Sequence, residues 1–257
     1  MAARLHRTVT GPDDGPPLVL SSSLGATAAM WDPQIPEFSQ RFRTIAYDHR
    51  GHGGSEAPDG PYELEDFGSD VLAMLDELGI ERAHFCGLSL GGMVALWLGA
   101  HAPGRLASLT ICCSSARPGN EPAWTERIET VRAADSVKPV AAAVASRWTT
   151  PAFAAANPGV VERLEAMLAA NAPDAYAACC RVVRDLDLVD DLDRITAPSL
   201  VISGAQDEAL RPEHQRLIAG AIPGARLETI DPGAHLPNIE QPEVFSALVT
   251  RHVEENA

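Results

Sequence analysis

The chain has 257 residues, with 46% hydrophobic and 21% charged side chains, a globular composition that excludes chronic disorder. Twenty Lys and Arg against thirty-five Asp and Glu give a net charge of −15. That excludes holding a nucleic-acid backbone by bulk charge and disfavours an anionic membrane surface, since both rest on Lys and Arg.

The length suits one large α/β domain or two small ones. The N-terminal stretch reaches Gly11-Pro12 without an apolar core and is read as no signal peptide. No stretch approaches the roughly 18 apolar residues of a membrane span. The five cysteines are odd in number, and none stands in a C-x-x-C pair. They are expected to be free thiols in a reducing, cytoplasmic setting.

In chain order, Leu18-Val19-Leu20 follows Pro16-Pro17 and runs into Ser21-Ser22-Ser23-Leu24-Gly25. That reads as a buried strand ending in a loop. Thr44-Ile45-Ala46-Tyr47 is a second strand, closed by a Gly-rich turn over 48–55 in which Asp48 and Arg50 brace the loop. Apolar residues at Phe67, Val71, Leu72, Met74, Leu75 and Leu78 predict a helix over 64–78, stopped by Gly79. A strand over 83–86, a turn over 87–92, a buried helix over 93–100 and a strand over 106–113 follow. This alternation predicts an α/β class with a mostly parallel, doubly wound sheet.

From Ser114 to about Asp191 no strong strand pattern occurs. The segment is Ala-rich and punctuated by proline, which predicts a helical cap over 114–191 inserted into a core of 1–113 and 192–257. Strands resume over 200–203 and 227–230, and a helix over 241–253 closes the chain.

The chemistry concentrates where strands end. Gly87-Leu88-Ser89-Leu90-Gly91 is a G-x-S-x-G pentapeptide between a strand and a helix. Such a strand–turn–helix strains the serine backbone, exposes its hydroxyl and admits only small flanking residues. The following helix turns its N-terminal amides toward the site. A serine hydroxyl needs a base, and His235 sits in the loop directly after the last strand. His49 and His52 lie in the Gly-rich turn and His84 within a strand, while His6, His101, His214 and His252 are read as surface residues. An acid should hold the imidazole. Asp207 follows strand 200–203, and Glu208 is the fallback. The backbone N–H groups of Leu90 and Leu24 are the candidates for an oxyanion hole. No Gly-rich phosphate cradle or metal-ligand cluster occurs, so neither metal nor cofactor is expected.

Asp48-x-Arg50-Gly51-x-Gly53-x-Ser55, Gly87-Leu88-Ser89-Leu90-Gly91-Gly92 and Gly233-Ala234-His235 together resemble the α/β-hydrolase superfamily across nearly the whole length. The order Ser89, Asp207, His235 is that superfamily's order. A closer resemblance is to the 3-oxoadipate enol-lactonases of aromatic catabolism. It rests on Ser22-Ser23-Leu24-Gly25, Met30-Trp31-Asp32-Pro33-Gln34, His84-Phe85-Cys86-Gly87-Leu88-Ser89, Arg147-Trp148-x-x-Pro151-x-Phe153, Tyr176-Ala177-Ala178-Cys179-Cys180 and His235-Leu236-x-Asn238-x-Glu240-Gln241-Pro242. Leu90 stands where that family often has Met, and Ser22 where it has Asn.

The resemblance implies a serine hydrolase with a catalytic triad that opens an enol-lactone by acyl transfer. Its partner would be a small-molecule lactone or ester, without nucleic acid or membrane. A lactone carboxylate would need a cation, for which Arg147 and Arg184 are candidates, and Trp148 and Trp124 would wall the pocket. Hydrolysis of another small ester, lactone or C–C bond, and a binding module on the same fold, stay open as alternatives.

Overall fold

The computed structural model describes residues 2–257. The strands are β1 (Arg7–Thr10), β2 (Pro17–Ser21), β3 (Arg43–Tyr47), β4 (Ala83–Leu88), β5 (Leu106–Cys112), β6 (Ser199–Gly204) and β7 (Arg226–Ile230). They form one seven-stranded sheet, ordered β1-β3-β2-β4-β5-β6-β7. β1 runs antiparallel to β3, and all other pairs are parallel. The central strands are apolar runs because both of their faces are covered. β1 escapes the sequence reading for the opposite reason: Thr8 and Val9 are exposed at the sheet edge, so the segment carries no apolar run.

The helices are α1 (Ile35–Phe38), α2 (Leu64–Glu77), α3 (Leu90–His101), α4 (Glu121–Ala134), α5 (Lys138–Ala145), α6 (Pro151–Ala156), α7 (Pro158–Ala169), α8 (Pro173–Asp185), α9 (Pro212–Ala221), α10 (Pro237–Glu240) and α11 (Pro242–Glu254). α2 opens with a capping box, in which Glu63 N–H donates to Asp66 Oδ2 at 2.9 Å. It buries Phe67, Val71, Met74 and Leu75, and Gly79 ends it at φ +67. α3 is buried on nearly every side, as the apolar run from Met93 implies. α4 to α8 all lie in the connection between β5 and β6. Five prolines of that segment start helices rather than break them. Pro122, Pro139, Pro151, Pro158 and Pro173 each stand in a first turn, where the missing N–H costs no hydrogen bond.

α9 was not legible in the sequence, since it buries only Gln215 and Ile218 and so lacks an apolar stripe. His252 also departs from expectation. It is buried on α11, with Nε2 3.0 Å from the Leu109 carbonyl oxygen, instead of lying at the surface.

The Gly-rich turn is braced as its sequence suggests. Asp48 accepts from Ala28 N–H at 2.7 Å and Gly54 N–H at 2.9 Å. Arg50 donates through two nitrogens to both oxygens of buried Asp70, each at 2.7 Å. All five cysteines are free and buried. No helix among the described residues is long and apolar enough to cross a membrane.

Candidate active site

The six parallel strands open their following loops at one edge of the sheet, among them the loops after β2, β4, β6 and β7. Ser89 sits at the turn between β4 and α3 with φ 57 and ψ −112. A non-glycine residue seldom adopts this left-handed backbone, and strain of this kind persists only where its surroundings enforce it. Here Ser89 N–H donates to the Cys112 carbonyl at 2.9 Å, and the Ser89 carbonyl accepts from Met93 N–H at 3.0 Å and from Ser114 Oγ at 2.7 Å. The flanking glycines are required by close approach. A Cβ on Gly87 would strike the Gly91 carbonyl, one on Gly91 the Ser21 carbonyl, and one on Gly92 would lie 2.5 Å from Ser114.

His235 lies on the loop after β7, and its Nδ1 is 2.8 Å from Asp207 Oδ2, with both side chains buried. The second oxygen of Asp207 accepts from the N–H groups of Ala209 at 2.8 Å and Leu210 at 2.9 Å. The carboxylate is thereby fixed. A carboxylate acceptor puts the imidazole proton on Nδ1 and leaves Nε2 free as a base. Asp207, not Glu208, makes this contact. The two loops touch because β6 ends in Gly204, where a Cβ would strike the Ala234 carbonyl.

Behind His235, Glu240 accepts from Ala234 N–H at 2.6 Å and, through its other oxygen, from Thr150 N–H and Oγ1 at 2.9 and 2.7 Å. Leu236 N–H donates to the Trp148 carbonyl at 2.8 Å. The histidine loop and the segment after α5 thus hold each other. Sequence reasoning quoted Glu240 and Trp148 but did not see this link.

Ser89 and His235 face one cavity of about 110 Å³. Among the described residues no hydrogen bond joins the Ser89 hydroxyl to the imidazole, a bond that in unliganded sites is often long and tightens only around substrate. Leu24 lines the same cavity. Neither the Leu24 nor the Leu90 N–H donates elsewhere among the described residues, so both remain free for a ligand.

Trp124, Arg147 and Trp148 line the same cavity, as the sequence suggested. Arg184 does not belong there. It is turned to its neighbour Asp185, with Nε 2.7 Å from the carboxylate, at the end of α8. Its place is taken by Arg127, which lines the cavity and stacks 4.4 Å from the Trp124 ring centre. The signal was available, since Arg127 stands three residues after Trp124 on one helix. No salt bridge to Arg127 or Arg147 occurs among the described residues. Burial, and then the nearby Arg127 charge, lower the Arg147 pKa. Two guanidinium groups in one cavity, neither of them in a salt bridge among the described residues, favour an anion, even with the Asp207 and Glu208 charges acting on Arg147.

A family model described as alpha/beta hydrolase fold matches residues 16–242. The chain belongs to the α/β-hydrolase family. This α/β hydrolase is 38% identical over 245 residues to 3-oxoadipate enol-lactonase 2 of Acinetobacter baylyi, covering 95% of this chain and 91% of that protein. The crystal structure of an enol-lactonase from Burkholderia xenovorans LB400 superposes with a TM-score of 0.95 at 36% identity, covering 98% of this chain and 97% of that one. A putative carbamate hydrolase, RutD, of Stutzerimonas stutzeri is 33% identical over 94% of this chain and 93% of its own length. The α/β hydrolase is therefore an enzyme of hydrolytic type, with relatives of more than one named specificity.

Proposed function

We propose that this α/β hydrolase opens 3-oxoadipate enol-lactone to 3-oxoadipate by acyl-enzyme chemistry, with Ser89, His235 and Asp207 as its catalytic triad. The observation that carries the reading is the cavity itself. Its lining brings together a strained serine, an imidazole backed by a carboxylate, and two guanidinium groups, Arg127 and Arg147, that form no salt bridge among the described residues. That pairing suits a compact acyl compound bearing a carboxylate. The enol-lactonase relatives support the same reading.

In this mechanism Ser89 Oγ attacks the lactone carbonyl and His235 Nε2 takes its proton. Asp207 holds the imidazole and stabilises its charged form. The tetrahedral oxyanion is met by the Leu24 and Leu90 N–H groups, at the N-terminus of α3. Collapse breaks the ring C–O bond and releases an enol, which becomes a ketone while still joined to the acyl-enzyme. Water activated by His235 then frees Ser89. Arg147, helped by Arg127, binds the carboxylate, and Trp124 and Trp148 pack the ring.

Competition between substrates tests the assignment. The enol-lactone is expected to exceed a simple p-nitrophenyl ester in kcat/KM, and Arg147→Met to erase about 10–100-fold of that preference, the scale of a charged hydrogen bond. A p-nitrophenyl ester or a carbamate turned over faster than the enol-lactone contradicts the substrate assignment while leaving the hydrolase.

A further inference from the structure

Two histidines apart from His235 grip the loop that carries Leu24, one at each end. His49 and His52 lie in the turn after β3, and both are buried. His49 Nε2 is 2.9 Å from the Ser22 carbonyl oxygen. A carbonyl only accepts, so this nitrogen carries a proton and donates. His52 Nε2 is 2.9 Å from Gly25 N. A backbone N–H only donates, so this nitrogen is bare and accepts. The His52 proton then sits on Nδ1, which donates to the Arg50 carbonyl at 3.1 Å.

The His52 ring is therefore neutral. His49 Nδ1 is buried without a hydrogen-bond partner, where a proton would be left unsatisfied, so that ring is neutral too. Their tautomers are opposite, as the two ends of the loop demand. Burial is the main reason both pKa values fall below the ordinary histidine range, His49 to about 3. Between the two anchors stand only Ser23 and Leu24. The Gly25 carbonyl is held as well, by Asn171 Nδ2 at 2.9 Å, and Gly91 N–H donates to the Ser22 carbonyl at 3.0 Å. Gly25 itself has φ +83, and a Cβ there would strike Leu168, so the loop has little room to find another path.

We propose that His49 and His52 are positioning residues for the oxyanion hole, fixing through opposite neutral tautomers the peptide that presents the Leu24 N–H. This rests on the acyl-transfer reading of Ser89 given above. A donor fixed in advance stabilises charge that develops only in the transition state, so loosening it lowers turnover more than substrate binding.

The test compares His52→Leu, which removes the acceptor, with His52→Gln, whose amide oxygen can replace it. Turnover of a p-nitrophenyl ester is normalised to Ser89 titrated by a fluorophosphonate. His52→Leu is expected to lower kcat about 10–100-fold with KM within about threefold, and His52→Gln to recover kcat to within about fivefold of the parent. Unchanged kcat in His52→Leu, or His52→Gln falling as far as His52→Leu, overturns the proposal. Nitrogen-15 spectra of the parent imidazoles at pH 7 decide the matter even where His52→Leu does not fold. His49 protonated at Nε2 and His52 at Nδ1 support the inference; matching tautomers or a charged ring overturn it. Ser89→Ala separates the two readings. If it keeps turnover, acyl transfer itself fails; if it is inactive while His52→Leu stays fully active, only the positioning role fails.

Discussion

Asp207 and His235 are held by bonds that only their own side chains satisfy, whereas Ser89 is held through its backbone. Asp207 shows this most sharply, because both carboxylate oxygens are committed: one to His235 Nδ1, the other to the Ala209 and Leu210 amides. Asp207→Asn keeps the shape but can turn an amide N–H toward the imidazole. That donor stabilises the tautomer protonated at Nε2, which leaves Ser89 without a base. The expected loss is on the order of 10⁴ in kcat with little change in melting temperature, read by steady-state kinetics and thermal unfolding. A loss below about tenfold would show that the carboxylate does not set the tautomer. The cavity arginines make a different lesson. Arg147 was legible because it precedes Trp148 in a family-like motif. Arg184 was misplaced and Arg127 overlooked because the face that α4 or α8 turns to the cavity depends on how the inserted helices pack, which no local pattern records.

At the scale of elements, legibility followed apolar content. The central strands and α2 and α3 declare themselves through buried runs and helical spacing. The edge strand β1 and the helix α9 do not, since each presents mostly exposed residues. The positions of Ser89, Asp207, His235 and Leu24 could be read because all four follow parallel strands, whose carboxyl ends share one edge of the sheet. The ties between loops could not. Glu240 joins the His235 loop to Thr150, and His52 joins the Gly-rich turn to Gly25. These are contacts between segments far apart in sequence, made by residues whose neighbours give no hint of a partner. They also give the enol-lactonase-like stretches around Trp148 and His235 a physical reason to occur together. Each supplies hydrogen-bond partners for the other.

The whole molecule stores an acid sensitivity in its buried histidines. His49, His52, His84 and His252 are buried, and burial is the first cause that lowers each pKa, His49 to about 3 and His84 to about 4. The unfolded chain binds these protons near pH 6.5, the folded protein only at lower pH. Their neutral burial therefore costs nothing above about pH 6.5, and stability falls as pH drops through 6.5 toward the folded values. Each group removes up to about 1.4 kcal/mol per pH unit in that window. Urea unfolding between pH 7 and 5, above the range where most carboxylates titrate, is expected to show a midpoint that declines with pH. A midpoint constant over that interval would contradict the neutral burial of these rings.

The most direct measurement is covalent labelling of the nucleophile. A fluorophosphonate is expected to add once per chain, with the adduct mapped by peptide mass spectrometry to Ser89, and Ser89→Ala is expected to lose both the adduct and about 10⁴–10⁶-fold in ester turnover. An adduct on another residue, or a Ser89→Ala protein that still hydrolyses ester at the parent rate, would contradict the acyl-transfer account.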